Sequence, residues 1–217
     1  MSLRSNLRLV FSLGRGLTRG LPDADPGLDP IQLFGQWFEA ARKAGMLLPE
    51  AMTLATASAD GAPSARMVLL KDFAEDGFEF YTNLGSRKAD ELTANPRAAL
   101  CFHWGVLQRQ VRVEGDVTQL SRETSAAYFR TRPRGSQVGA WASRQSEPLG
   151  DRGMLARRVR EIEKRFEGGE VPLPDFWGGF RLHPQRIEFW QGRTDRLHDR
   201  LLFQREGDGW SSRRLHP

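Results

Sequence analysis

Ala51-Met52-Thr53-Leu54-Ala55-Thr56-Ala57, the turn Asp60-Gly61, then Ser64-Ala65-Arg66-Met67-Val68-Leu69-Leu70-Lys71 is the stretch on which the fold class turns. Two apolar-rich runs around an Asp-Gly turn read as a β-hairpin with a slightly long loop. The pattern continues outward. Gly77 to Thr82, Ala98 to Trp104, Gln110 to Gln119, Phe176 to Leu182 and Gln185 to Gln191 read as further strands. The chain closes with a second hairpin, Arg200 to Gln204 and Trp210 to Leu215, turning at Gly207-Asp208-Gly209. Helices fall between them. Asp29 caps and Pro30 opens the first, with Ile31, Phe34, Trp37, Phe38 and Ala41 at helical spacing and Gly45 at its end. Ser86 to Asn95, Ser121 to Thr131 and Arg152 to Phe166 are the others, the last with an apolar stripe of Leu155, Val159, Ile162 and Phe166. These strands with helices between them predict a mainly β, α+β fold: an antiparallel sheet closed into a barrel.

Bulk properties narrow the function. The 217 residues suit one domain over 29–217, preceded by a mobile, basic and Gly/Pro-rich arm over 1–28. Its Arg4, Arg8, Arg15 and Arg19, without acids, fit either a transit peptide or an arm that folds over an anionic site. Lys plus Arg number 32 against 27 acids, a net charge of +5. That balance fits nucleic acid, anionic membrane or phosphorylated small molecules, but the charge is spread without a basic run, which argues against nucleic acid. No apolar run reaches membrane-span length. The single cysteine, Cys101, excludes an internal disulfide and makes the cytoplasm the default compartment. His103, His183, His198 and His216 show no metal-ligand spacing, so no metal is expected.

Several groups could carry chemistry. Arg196, His198 and Arg200 alternate with Leu197 and Asp199, so an extended backbone places the three on one face, beside the pair Phe189-Trp190. Either this is a solvated strand edge or it is a site for an anionic, planar ligand. Arg66 and Lys71 bracket an apolar strand, as ligand-facing cations or as snorkelling surface charges. Ser86-Arg87-Lys88 opens a helix, which suits a phosphate or a plain cap with two solvated cations. Tyr128 and Arg132 are four apart on one helix face, and Ser136 lies just past a Pro-Arg-Gly turn; together they can converge on a second phosphate. Gln110, Gln145 and Ser146 offer amides and a hydroxyl to a heteroatom edge.

These segments together closely resemble the pyridoxamine 5′-phosphate oxidase family, FMN enzymes that make pyridoxal 5′-phosphate. The resemblance rests on Arg66-Met67-Val68-Leu69-Leu70-Lys71, Phe80-Tyr81-Thr82-Asn83, Ser86-Arg87-Lys88, Gln108-Arg109-Gln110-Val111 and Arg132-Pro133-Arg134-Gly135-Ser136-Gln137. It continues through Gly139-Ala140-Trp141, Gln145-Ser146, Phe176-Trp177-Gly178-Gly179-Phe180 and Ile187-Glu188-Phe189-Trp190-Gln191-Gly192 to the C-terminal signature Arg196-Leu197-His198-Asp199-Arg200. It runs in unbroken order from about residue 30 to the end.

The resemblance implies an FMN-binding split β-barrel homodimer with two FMN sites at the subunit interface. It implies that Arg66, Met67, Val68, Leu69, Leu70, Lys71, Tyr81, Thr82, Arg87, Lys88, Gln110, Gln145, Ser146, Trp190 and Arg200 hold FMN. Lys71, Tyr128, Arg132 and Ser136 would hold the phosphate of pyridoxamine or pyridoxine 5′-phosphate, with Arg196, Leu197 and His198 against its pyridine ring. Arg196 and His198 are thereby the catalytic candidates; His198 either orients the amine or alcohol or accepts its proton. The implied reaction moves a hydride from substrate to flavin, which O2 reoxidises with release of H2O2. In the family an Arg and, three residues later, a Tyr often lie in a substrate-covering arm; here Arg8 aligns and Phe11 takes the tyrosine's place. The alternatives are a related phenazine-type flavin oxidase acting on another small aromatic, or a non-enzymatic binder of flavin or nucleic acid.

Overall fold

The computed structural model describes residues 21–25 and 27–217. Most of the expected arm, including Arg8 and Phe11, lies outside them. Its last residues are docked: Leu21 is buried, and the Arg214 guanidinium donates to the carbonyls of Leu21 and Pro22.

The first helix, α1 (Pro30–Lys43), starts as its sequence dictates. The Asp29 carboxylate accepts from the amides of Ile31 and Gln32, Pro30 needs no amide partner in the first turn, and Gly45 follows with φ of +73°. The helix plugs the barrel. Phe34 is fully buried, with the rings of Phe73, Phe78 and Phe102 at 4.8, 5.0 and 5.0 Å, all edge-on.

Nine strands form one antiparallel sheet: β1 (Ala51–Ala57), β2 (Pro63–Leu69), β3 (Asp72–Ala74), β4 (Gly77–Asn83), β5 (Arg97–Trp104), β6 (Arg109–Gln119), β7 (Trp177–Gln191), β8 (Asp199–Glu206) and β9 (Gly209–Leu215). Their order is β2-β1-β5-β6-β7-β4-β3, and β8 also pairs with β7 and carries β9. The two expected strands at 176–182 and 185–191 are a single strand, β7, of 15 residues. Its first half pairs with β4 and its second with β8, while β6 runs along its other edge. Pro184, which has no amide to donate, sits where the β6 register shifts between Glu114 and Gly115. Gly115 is required there: a Cβ would stand 1.9 Å from the His183 carbonyl oxygen.

Four helices complete the described residues: α2 (Arg87–Ala94), α3 (Arg122–Thr131), α4 (Arg134–Ala142) and α5 (Arg152–Arg165). The sequence predicts only a Pro-Arg-Gly turn here and no α4, whose Gly135 and Gly139 weaken the helical signal. It forms because its Val138 joins a second core with Phe129, Val171 and Trp177, against which Ala140 and Trp141 also pack; Ala142 is buried too. Val159, Ile162 and Phe166 of the expected α5 stripe pack onto that core, though no residue of α5 is fully buried. No helix among the described residues is long and apolar enough to cross a membrane.

Candidate active site

A cavity of about 770 Å³ opens where the strands β2 and β4 meet α2, α3 and α4. Met67, Val68 and Leu69 come from β2, followed by Lys71; Tyr81 and Thr82 come from β4. Lys88 enters from α2, Tyr128 from α3, and Arg132 and Ser136 from the α3–α4 corner, with Gln145 beyond α4. Eleven of the residues singled out from sequence thus share one space.

Cations gather at two poles. At the first, the Lys88 ammonium is buried against three neutral oxygens: Gln145 Oε1 at 2.8 Å, Ser86 Oγ at 3.1 Å and Thr82 Oγ1 at 3.2 Å. Burial, then the nearby Arg66 charge, lowers its pKa from the usual lysine value, while Glu91 opposes the shift. Behind it lies a buried carboxylate. Glu91 Oε2 accepts from Arg66 Nη2 at 3.1 Å and from the Ser64 and Thr56 hydroxyls, and Oε1 accepts from Arg87 Nε at 2.8 Å. Burial raises the Glu91 pKa, but the bonds from Ser64, Thr56, Arg87 and Arg66 outweigh it and hold it at about 2. Arg66 and Arg87 do not line the cavity. Arg66 lies inside β2, not at a strand end as its sequence position suggested.

At the second pole, rings take the place of carboxylates. Tyr128 stacks on Tyr81 at 4.1 Å, and Tyr81 on Trp177 at 5.6 Å. The Arg132 guanidinium lies 4.7 Å from the Trp177 ring centre and Lys71 Nζ 5.9 Å from that of Tyr128. Arg132 Nη1 is buried with no hydrogen-bond partner among the described residues. Its desolvation lowers the guanidinium pKa, against a raising effect of Tyr128. A buried, unpartnered donor beside a cavity is a place for an external acceptor. Arg132 is the C-cap of α3, just past the helix rather than on its face. Ser136 is in the first turn of α4 rather than after a free turn.

The remaining residues lie elsewhere. Leu70 is in the barrel core. Ser146 Oγ accepts from the Arg87 amide at 3.3 Å. Gln110, Trp190 and Arg200 stand in cross-strand register on β6, β7 and β8. The Glu188 carboxylate accepts from Arg200 Nε and Nη2 at 2.9 and 3.1 Å. The extended backbone expected for 196–200 is not formed. Thr194–Arg196 is a 3-10 turn, Asp195 and Arg196 have φ of +57° and +60°, and β8 begins only at Asp199. The three groups therefore do not share a strand face by alternation. His198 lies over Trp190 with centroids 4.6 Å apart, its Nδ1 accepting the Arg193 amide at 3.2 Å; Arg196 and Leu197 are exposed. No member of this C-terminal group lines the cavity of its own chain. Glu91 and Trp177 escaped the sequence reading as site residues. A helical Glu four residues after Arg87 was the available signal for the first; Trp177 stood in a quoted motif without a role.

The strand order, the branch at β7 and the helices across the cavity define the split-barrel, flavin-binding fold. Its match to PhzG from Burkholderia lata 383, solved with tetrahydrophenazine-1-carboxylic acid, has a TM-score of 0.87 at 32% identity, covering 93% of this chain and 100% of that one. Residues 38–166 match the family model described as pyridoxamine 5′-phosphate oxidase, and residues 177–217 that of the pyridoxine 5′-phosphate oxidase C-terminal dimerisation region. A pyridoxine/pyridoxamine 5′-phosphate oxidase of Rubrobacter xylanophilus is 62% identical over 97% of both chains, and one of Colwellia psychrerythraea is 51% identical over the full length of both. The chain belongs to the pyridoxamine 5′-phosphate oxidase family and is an oxidoreductase.

Proposed function

We propose that this protein oxidises pyridoxamine 5′-phosphate or pyridoxine 5′-phosphate to pyridoxal 5′-phosphate, with FMN as cofactor and O2 as acceptor, releasing H2O2. One observation carries the reading: a single cavity with two cationic poles, one of which holds a buried guanidinium nitrogen without a partner. Two phosphorylated planar molecules require two such poles. The donor set fits FMN at the first pole, where Lys88 is a buried cation contacted only by neutral oxygens and Arg87 keeps both terminal nitrogens without a partner among the described residues. At the second pole Arg132, Lys71, Tyr128 and Ser136 receive the substrate phosphate.

Bound FMN supplies a two-electron acceptor that dioxygen regenerates. The protein's own task is to hold substrate at reacting distance and exclude water. The C-terminal group completes this arrangement across a homodimer. Gln110, Trp190, Arg196, His198 and Arg200 of one copy finish the cavity of the other, in line with the match of 177–217 to a dimerisation region. Arg196 clamps the substrate ring with its planar guanidinium, and His198 orients the reacting amine or alcohol.

The purified protein should be a yellow dimer whose flavin absorbance bleaches anaerobically on addition of pyridoxamine 5′-phosphate. Retained flavin that neither phosphorylated substrate bleaches would remove the substrate; a colourless protein that takes up no FMN would remove the cofactor. The second reading, a flavin oxidase of another small aromatic, draws on the close structural match to PhzG. A phosphate-free substrate would be indifferent to loss of Arg132.

A further inference from the structure

The proposed function leaves a buried ionised side chain unused. Glu91 lies on α2, only 5% exposed, and it touches three elements at once. Thr56 on β1 and Ser64 on β2 donate their hydroxyls to Oε2 at 2.5 and 2.6 Å, Arg66 on β2 joins them, and Arg87 from the first turn of α2 takes Oε1. A buried carboxylate is retained at a high desolvation cost, so its partners are held as firmly as it is. Two guanidiniums side by side would otherwise repel each other and Lys88, three positions before Glu91 on the same helix.

We propose that Glu91 is a positioning residue for the phosphate end of the cofactor site: it fixes the guanidiniums of Arg66 and Arg87 before the ligand arrives. The inference rests on the FMN reading above. Arg87 spends Nε on Glu91, which leaves its two terminal nitrogens for an external anion. Arg66 spends Nη1 on the Leu54 carbonyl and on Thr56, and Nη2 on Ser64 and Glu91. Its orientation is therefore set entirely from within, and only Nε stays uncommitted. Charge alone predicts the reverse of this role, because a carboxylate near a phosphate repels it. The two ideas differ in sign and can be separated.

The test uses the full-length protein stripped of FMN. Flavin fluorescence quenching gives the FMN dissociation constant, and thermal unfolding of the same apo-protein reports the fold. Glu91→Gln keeps the shape and an acceptor for the Thr56 or Ser64 hydroxyl while removing the charge that binds two arginines. It should weaken FMN by roughly tenfold or more; the apo-protein should still unfold in one cooperative transition, at a melting temperature several degrees lower, and turnover should return at saturating FMN. Glu91→Asp, which keeps the charge but shortens the reach, should fall between wild type and Glu91→Gln. The double variant Glu91→Gln/Arg87→Ala should lose less than the sum of its single changes, since both act through the same guanidinium. Tighter FMN binding in Glu91→Gln would overturn the proposal in favour of simple repulsion. Unchanged affinity with a lowered melting temperature would overturn it in favour of a purely structural carboxylate. Failure of the wild-type protein to bind FMN would overturn the proposed function, and this inference with it; normal wild-type binding with an unaffected variant overturns this inference alone.

Discussion

The two cationic poles of the cavity are stabilised in opposite ways. At the α2 pole, Lys88 lines the cavity against neutral oxygens, and behind it Arg66 and Arg87 share the buried Glu91 carboxylate. At the α3–α4 pole, Arg132 and Lys71 have no ion pair among the described residues and lie instead over the rings of Trp177 and Tyr128. A carboxylate orients a guanidinium firmly and cancels part of its charge. A ring face orients it weakly and leaves its donors unspent, as Arg132 Nη1 shows. The first arrangement suits a ligand kept through many turnovers, the second a ligand that arrives and leaves. One cavity can then hold two phosphates without confusing them.

The largest test of that contrast is Arg132→Ala. Losing two charge-assisted bonds at about 1.5–3 kcal/mol each should cut kcat/KM for the phosphorylated substrate by roughly 10²- to 10⁴-fold. FMN affinity should stay put; equal losses at both ligands would merge the poles into one.

The carboxylate pole should also be the acid-sensitive one. Glu91 titrates at about 2 in the fold against 4.5 for an ordinary glutamate, so its stabilisation is complete above the ordinary value and lost as pH falls toward 2. Urea unfolding at about pH 7 and about pH 2 should show wild type losing on the order of 3 kcal/mol more than Glu91→Gln. Parallel losses in the two proteins would mean that Glu91 is not held ionised.

Lys88→Ala comes next. FMN should bind about 10- to 100-fold more weakly, by fluorescence titration, and excess FMN should restore turnover. Since the Lys88 pKa is lowered, FMN affinity should decline with rising pH before an ordinary lysine would discharge. A variant that binds FMN normally but turns over poorly would move Lys88 to the substrate pole. The smallest effect belongs to Trp177→Phe. It weakens a cation–π contact of about 0.5–1 kcal/mol and should raise the substrate KM by roughly two- to fivefold, leaving FMN unaffected.

Much of the barrel was legible because its signals are local. Asp29 and Pro30 begin α1, the Asp60-Gly61 turn joins β1 to β2, and Gly207-Asp208-Gly209 joins β8 to β9, each through backbone chemistry a few residues long. The misreadings share a different cause. α4 takes its helix from burial of Val138 and Ala142 rather than from propensity. β7 passes through Pro184 because a register shift and Gly115 on the neighbouring strand make room for it. The turn at Thr194–Arg196 breaks an alternation that reads as a strand, with two non-glycine residues held at positive φ. None of these can be seen in the residue itself, since the deciding atom belongs to another element.

The same boundary divides the site. The residue types were readable from the chain alone: cations beside hydroxyls, in an order that resembles one family of flavin oxidases. That order is legible because motif spacing reflects short-range geometry. Packing between distant elements opens Lys88 and Arg132 into one cavity, closes Glu91 on Arg66 and Arg87, and sets Trp190, His198 and Arg200 apart from that cavity in their own chain. Arg87 and Glu91 are one helical turn apart, but Arg66 is 25 positions from Glu91, and no local rule reaches across strands to bring such residues together.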